Sequence, residues 1–143
     1  QAVLHALEIA PLAQKNINQI SGGELQMCYF AKALAADPDV MILDEPESNL
    51  DFYNQAKMIE MLWRLAKEQQ MTIVLNTHFL HYADRISDKC LLMNKRQCMF
   101  GDKNALLQED ILERYFQVPV RKCRYEYAGV SEETFIVALR HPA

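Results

Sequence analysis

Apolar positions come in two rhythms along this chain. Near the start, Val3, Leu4 and Leu7 share one face at helical spacing, which predicts a short helix over 2–8. A polar loop follows. A second helix is predicted from about Gly22 to just before Asp37-Pro38, because the residue ahead of a proline avoids helical backbone. "VMIL" (40–43) is a short all-apolar run between acidic residues, the pattern of a strand buried on both faces. A third helix is predicted over 53–70, with Ile59, Leu62, Trp63 and Ala66 at i, i+3, i+4 and i+7. "TIVLN" (72–76) reads as a second buried strand. Strand, helix, strand in that order implies a parallel pair with a right-handed crossover. "KCLLMN" and "QCMF" predict two more strands around a tight turn at Lys95-Arg96. Two short helices, 104–108 and 110–116, and two tail strands, 118–127 and 133–139, complete the order. Ala128-Gly129 separates the tail strands.

Composition adds limits. The 143 residues are half hydrophobic and carry a net charge of -4, enough for a packed core and too acidic overall for a nucleic-acid surface. The basic run Arg121-Lys122-Cys123-Arg124 is local and reads as a solvated strand or turn. Cys28, Cys90, Cys98 and Cys123 form no C-x-x-C pair, which suits reduced cysteines of a cytosolic protein. No run approaches the roughly 18 apolar residues of a membrane span, so a membrane role would come through a partner. The first residues already read as a helix in progress with no capping residue ahead, and the chain is expected to be the back portion of a larger protein.

Candidate chemistry gathers where strands end. In open parallel sheets, ligands bind beyond the carboxyl ends of the strands. The first strand runs into Asp44-Glu45-Pro46 and the second into Thr77-His78. Neighbouring strands would bring two carboxylates and an imidazole to one crevice. Asp44 at a strand end suits Mg²⁺ held through water. Glu45 beside it can orient or deprotonate an attacking water, a contribution of about 10²–10⁴-fold. His78 can contact a terminal phosphate. The same Asp-Glu-Pro is also compatible with a plain turn. His78 and His81 form H-x-x-H, but no further ligand with zinc spacing stands nearby.

The start of the second helix poses a separate question. Ser21-x-x-Glu24 is a capping box. Gly22 and Gly23 in its first turn cost helix stability, yet they let backbone come very close to an anion at the positive helix end. No G-x-x-x-x-G-K-[ST] phosphate loop occurs in the chain.

Together these pieces resemble the back half of an ABC-type ATPase domain. "ISGGEL" resembles the signature motif, "VMILDEP" the Walker B strand, "SNLD" the D-loop and "LNTH" the switch-histidine segment. The resemblance covers the chain up to about residue 117. It implies an α/β, P-loop NTPase-like fold: residues 1–36 as part of the helical signature subdomain, 37–117 as the C-terminal half of the ATPase core, and 118–143 as an extension forming a β-hairpin. It implies Asp44 as the magnesium aspartate, Glu45 as the catalytic glutamate and His78 as the switch histidine. It also implies a head-to-tail dimer with a second ATPase domain. There Ser21, Gly22, Gly23 and Glu24 face the ATP held by the partner, while Ser48, Asn49 and Asp51 cross the interface. The phosphate-facing helix start would thus serve a second molecule's triphosphate. Four departures stand out: Glu24 for glutamine, Leu25 and Met27 where arginines are common, Glu47 for Thr or Ser, and Phe79 for an acid. None removes an expected catalytic group, so the full-length protein is expected to be an active ATPase, and this chain alone to lack useful turnover.

"LLMNKRQCMFGDKNALLQEDILERYFQVPV" resembles the end of importer ATPases for iron-siderophore, haem or cobalamin complexes. That implies ATP and Mg²⁺ as cofactors, a membrane permease as partner, a solute-binding protein acting indirectly, no nucleic acid, and a place at the cytoplasmic face of the membrane. Two alternatives remain open: a soluble ABC ATPase of iron–sulfur assembly or DNA repair, and a regulatory module that is natively half a domain.

Overall fold

A computed structural model of the chain describes residues 1–95 and 97–138. The chain divides into two compact units, Gln1–His78 and Phe79–Ala143.

The first unit contains α1 (Ala2–Ala6), two short 3-10 turns, α2 (Gly22–Ala35), β1 (Val40–Asp44), α3 (Phe52–Lys67) and β2 (Thr72–Asn76). α1 stops short of residue 8, where Glu8 takes a left-handed φ of 54°. α2 ends as the Asp37-Pro38 signal predicts, and Asp37 leaves the helix with φ 49°. β1 and β2 pair in parallel, from Val40 opposite Thr72 to Asp44 opposite Asn76, with α3 as the crossover. This register brings both carboxyl ends to one edge.

Two details depart from expectation. β1 is covered on one face rather than both: Met41 is buried, while Val40 and Ile42 are 53% and 77% exposed. Successive side chains of a strand point to opposite faces, and among the described residues only one face has a cover. On α3 the buried stripe is Met58, Ile59, Leu62 and Leu65, and Trp63 lies on its flank, 40% exposed. A 3.6-residue period permits either stripe, and burial against the neighbouring elements selects the one that includes Met58 and Leu65.

The second unit contains α4 (Leu80–Ile86), β3 (Lys89–Met93), β4 (Cys98–Asp102), α5 (Lys103–Leu106), α6 (Glu109–Phe116), β5 (Val120–Tyr127) and β6 (Val130–Val137). α4 has no counterpart in the sequence reading. It is one short helix without a side-chain cap, so it offers little pattern to read. β3 and β4 form one antiparallel pair; Arg96 of the expected turn lies outside the described residues. β5 and β6 form another, turning through Ala128 and Gly129 at φ 50° and 78°. β6 starts three residues earlier than 133, and Leu139 lies outside the described residues. The core of this unit centres on Leu92, Leu107, Leu112, Tyr115 and Val120, with the Tyr115 hydroxyl donating to the Leu92 carbonyl at 2.8 Å. The basic run on β5 is matched by acids: Arg121 pairs with Glu113, and Lys122 and Arg124 each reach Glu133 at 2.9 Å. No helix among the described residues is long and apolar enough to cross a membrane.

Candidate functional site

The β1–β2 register carries the candidate chemistry to a single rim in the first unit. Asp44 is the last residue of β1 and sits opposite Asn76, the last of β2. The Asn76 amide donates to Asp44 Oδ1 at 2.6 Å, which fixes the carboxylate's orientation and leaves it exposed. The Glu45 N–H continues the ladder, donating to the Asn76 carbonyl at 2.9 Å. Two residues beyond β2, His78 Nδ1 lies 3.4 Å from Glu45 Oε1. Both side chains are about half exposed, 58% for His78 and 46% for Glu45, so the pair faces solvent rather than the core. Asp44, Glu45 and His78 therefore meet at one edge of the sheet.

Residues 45–51 form a tight structured loop. Glu45 and Asn49 both take left-handed backbone, at φ 42° and 66°. Such conformations are uncommon for residues other than glycine and persist where neighbours over-determine them. Here the Ser48 hydroxyl donates to Glu45 Oε2 at 3.3 Å and its N–H to the Glu45 carbonyl at 3.0 Å. Gln55 on α3 donates to the carbonyls of Glu47 and Leu50, at 3.3 and 3.1 Å. Gln26 on α2 donates to the Pro46 carbonyl at 3.3 Å. Asp51 closes the loop as N-cap of α3, accepting from the Asn54 N–H at 2.8 Å. Its side chain is thus used within the chain, as any N-cap aspartate is.

The Ser21 turn is a complete capping box. Glu24 N–H donates to Ser21 Oγ at 3.1 Å, and Ser21 N–H donates to Glu24 Oε2 at 2.7 Å. That backbone donor, with Lys15 at 3.2 Å, holds the Glu24 carboxyl below its usual pKa. Ser21 and Gly22 are exposed at the start of a 14-residue helix. The two glycines differ. A Cβ at Gly22 would meet no packing neighbour within 4 Å among the described residues, whereas a Cβ at Gly23 would stand 3.0 Å from the Asn49 carbonyl oxygen. Gly23 is therefore needed inside the chain, for close packing of α2 on the 45–51 loop, and only Gly22 is free of an internal reason.

Sequence reasoning did not single out Asn76 or Thr77 as contributors, although the register that places Asp44 also places Asn76. Glu47 entered only as a departure from a motif; it is fully buried, and Thr77 Oγ1 donates to its carboxylate. His81 packs in the second unit against Phe79 and Tyr82, with ring centroids 5.6 and 4.0 Å away. Among the described residues no group of three or more His, Cys, Asp or Glu side chains could hold a metal. Asp44 alone is a fit for Mg²⁺, which commonly takes one or two carboxylates plus water and substrate phosphates.

Comparison with known proteins shows what the chain is similar to. The family model for ABC transporters matches residues 1–48. The molybdate import ATP-binding protein MolC of Haemophilus influenzae is 34% identical over 124 residues, covering 87% of this chain and 49% of its own length. A solved ABC transporter of metal-chelate type, in an inward-facing conformation, superposes with a TM-score of 0.88 at 31% identity, over 97% of this chain and 55% of that one. A dimeric ATP-binding cassette in a post-hydrolysis state, bound to ADP and Pi, gives a TM-score of 0.62 at 27% identity, over 68% and 44%. The chain carries the α/β fold of the ABC ATPases. Within that class, the motif order, the family model and these relatives support an ATP-binding subunit of an ABC transporter. The chain spans about half the length of MolC.

Proposed function

We propose that this chain supplies the magnesium, catalytic and signature elements of an ATPase that powers import through an ABC transporter. The observation that carries the reading is the placement of Glu45 and His78 within 3.4 Å at the strand edge that also bears Asp44. In this reading Asp44 would hold Mg²⁺, usually through water, and the ion supplies neutralisation of phosphate charge. Glu45 accepts the proton of the attacking water as it orients that water toward the terminal phosphate. His78 contacts the terminal phosphate and steadies the Glu45 carboxylate. The exposed N-terminus of α2, with Ser21, Gly22, Gly23 and Glu24, faces ATP bound by a second ATPase domain. Ser48, Asn49 and Asp51 stand at the same interface. The dimeric cassette among the structural relatives supports that partner.

Residues 1–36 then belong to the signature subdomain, 37–117 to the ATPase core and 118–143 to an extension. A permease and, indirectly, a solute-binding protein complete the transporter, and the subunit works at the cytoplasmic face of the membrane. The metal-chelate transporter and the tail resemblance support a chelated metal as cargo, as in iron-siderophore, haem or cobalamin import. The molybdate name of MolC belongs to that relative.

Gly22→Trp in the complete protein tests the trans arrangement. A Cβ there would meet no packing neighbour within 4 Å among the described residues, so folding should be intact. ATP hydrolysis should fall by at least about a hundredfold, as expected when positioning at a reacting centre is lost, with nucleotide affinity of the monomer unchanged by equilibrium dialysis. Loss of monomer affinity would remove the helix start from its trans role.

A further inference from the structure

Glu47 is a buried carboxylate that no part of the proposed chemistry uses. It is 0% exposed, and it follows Pro46, which is buried as well. Oε1 accepts from Thr77 Oγ1, while Oε2 has no hydrogen-bond partner among the described residues. A buried carboxylate with spare acceptor capacity is costly to fold around, so its presence calls for a return elsewhere. What it joins is specific. Glu47 lies two residues after Glu45, on the loop that leaves β1. Thr77 lies between Asn76 and His78, on the loop that leaves β2. The Glu47 backbone carbonyl is held in turn by Gln55 of α3, at 3.3 Å. The hydroxyl–carboxylate bond is a side-chain link between the two loops, below the exposed Glu45–His78 contact.

We propose that Glu47 is a positioning residue: its buried carboxylate clamps Thr77 and so fixes the backbone that presents His78 to Glu45. The proposal rests on the catalytic reading of the rim, and it deepens that reading by naming what sets the rim's spacing. Glu45 and His78 are both about half exposed, with solvent on one side. Two exposed side chains hold a 3.4 Å approach poorly by themselves. A hydrogen bond from a hydroxyl to a carboxyl oxygen between their supporting loops is directional and fixes their separation. It would keep the pair set before substrate arrives, which is where positioning contributes most.

The test uses the complete protein with Thr77→Val, Thr77→Ser, Glu47→Met and Glu47→Gln. Val removes the donor at nearly constant volume and Met removes the acceptor, whereas Ser and Gln keep one donor and one acceptor oxygen. Thr77→Val and Glu47→Met should each lower kcat about tenfold, the scale of one lost buried hydrogen bond, with KM for ATP within about twofold. Thr77→Ser and Glu47→Gln should stay within about threefold of the parent, and the Thr77→Val/Glu47→Met double variant should be no slower than the worse single one. The imidazole signals of His78 in ¹H–¹⁵N spectra should shift or broaden in the Val and Met variants only. Additive losses, a Ser variant as slow as Val, or unchanged His78 signals in both clamp-breaking variants would overturn the clamp. Absence of hydrolysis in the parent protein would instead defeat the ATPase reading, and the His78 signals would still decide whether the clamp exists.

Discussion

Asn76 shows how much one residue can decide at this rim. It closes the β1–β2 register opposite Asp44, its amide holds Asp44 Oδ1 at 2.6 Å, and its carbonyl receives the Glu45 N–H at 2.9 Å. A side chain that orients a metal carboxylate typically matters about 10–100-fold in metal affinity. Asn76→Ala in the complete protein is therefore expected to raise the Mg²⁺ concentration for half-maximal ATP hydrolysis by about tenfold or more. The rate at saturating Mg²⁺ should fall less. An unchanged Mg²⁺ requirement, measured by titration at fixed ATP, would detach Asp44 from the metal. The placement of Asp44, Glu45 and His78 was legible in the sequence because each lies at, or within two residues of, the end of a predicted strand, and strand ends are where parallel sheets place chemistry. Asn76, Thr77 and Glu47 were not legible as supports. Their part depends on side-chain contacts between segments some 30 residues apart, which no local pattern records.

Among the elements, α2 most plainly joins stability to the candidate site. Its capping box gives Glu24 a hydrogen bond that is strongest while the carboxylate is ionised, and the carboxyl is held below its ordinary value of 4.5. A carboxyl whose pKa is lower folded than unfolded adds stability above its unfolded value and loses it as pH falls through the folded one. The Ser21 amide proton in ¹H–¹⁵N spectra should accordingly titrate with a midpoint below 4.5, and Glu24→Gln should abolish that titration. A midpoint at or above 4.5 would show that the cap is absent in solution. The element boundaries of α2, β1 and β2 were legible through Ser21, Asp37-Pro38 and the apolar runs. The covered face of β1 was not, because "VMIL" is apolar at every position and the open side at Val40 and Ile42 is set by what packs nearby. α4 was missed for the opposite reason: Leu80–Ile86 is short, mixed and uncapped. A Cβ at Gly23 would stand 3.0 Å from the Asn49 carbonyl oxygen, so that position also serves internal packing, which leaves Gly22 as the informative position to enlarge.

At the scale of the molecule, two kinds of surface separate. The strand-end rim and the α2 start are polar, exposed and built from hydrogen-bonded backbone. The open side of β1 and β2, with Ile42 77% and Val74 53% exposed, is apolar. The fold matches 55% of a solved transporter chain at a TM-score of 0.88. The measurement that bears most directly on the account is ATP turnover alongside ATP-dependent dimerisation for Glu45→Gln in the complete protein. Hydrolysis should drop by about 10²–10⁴-fold, the contribution of a general base, while ATP still binds and light scattering reports a stable dimer. Near-parental turnover in that variant would contradict the assignment of Glu45 and, with it, of the rim.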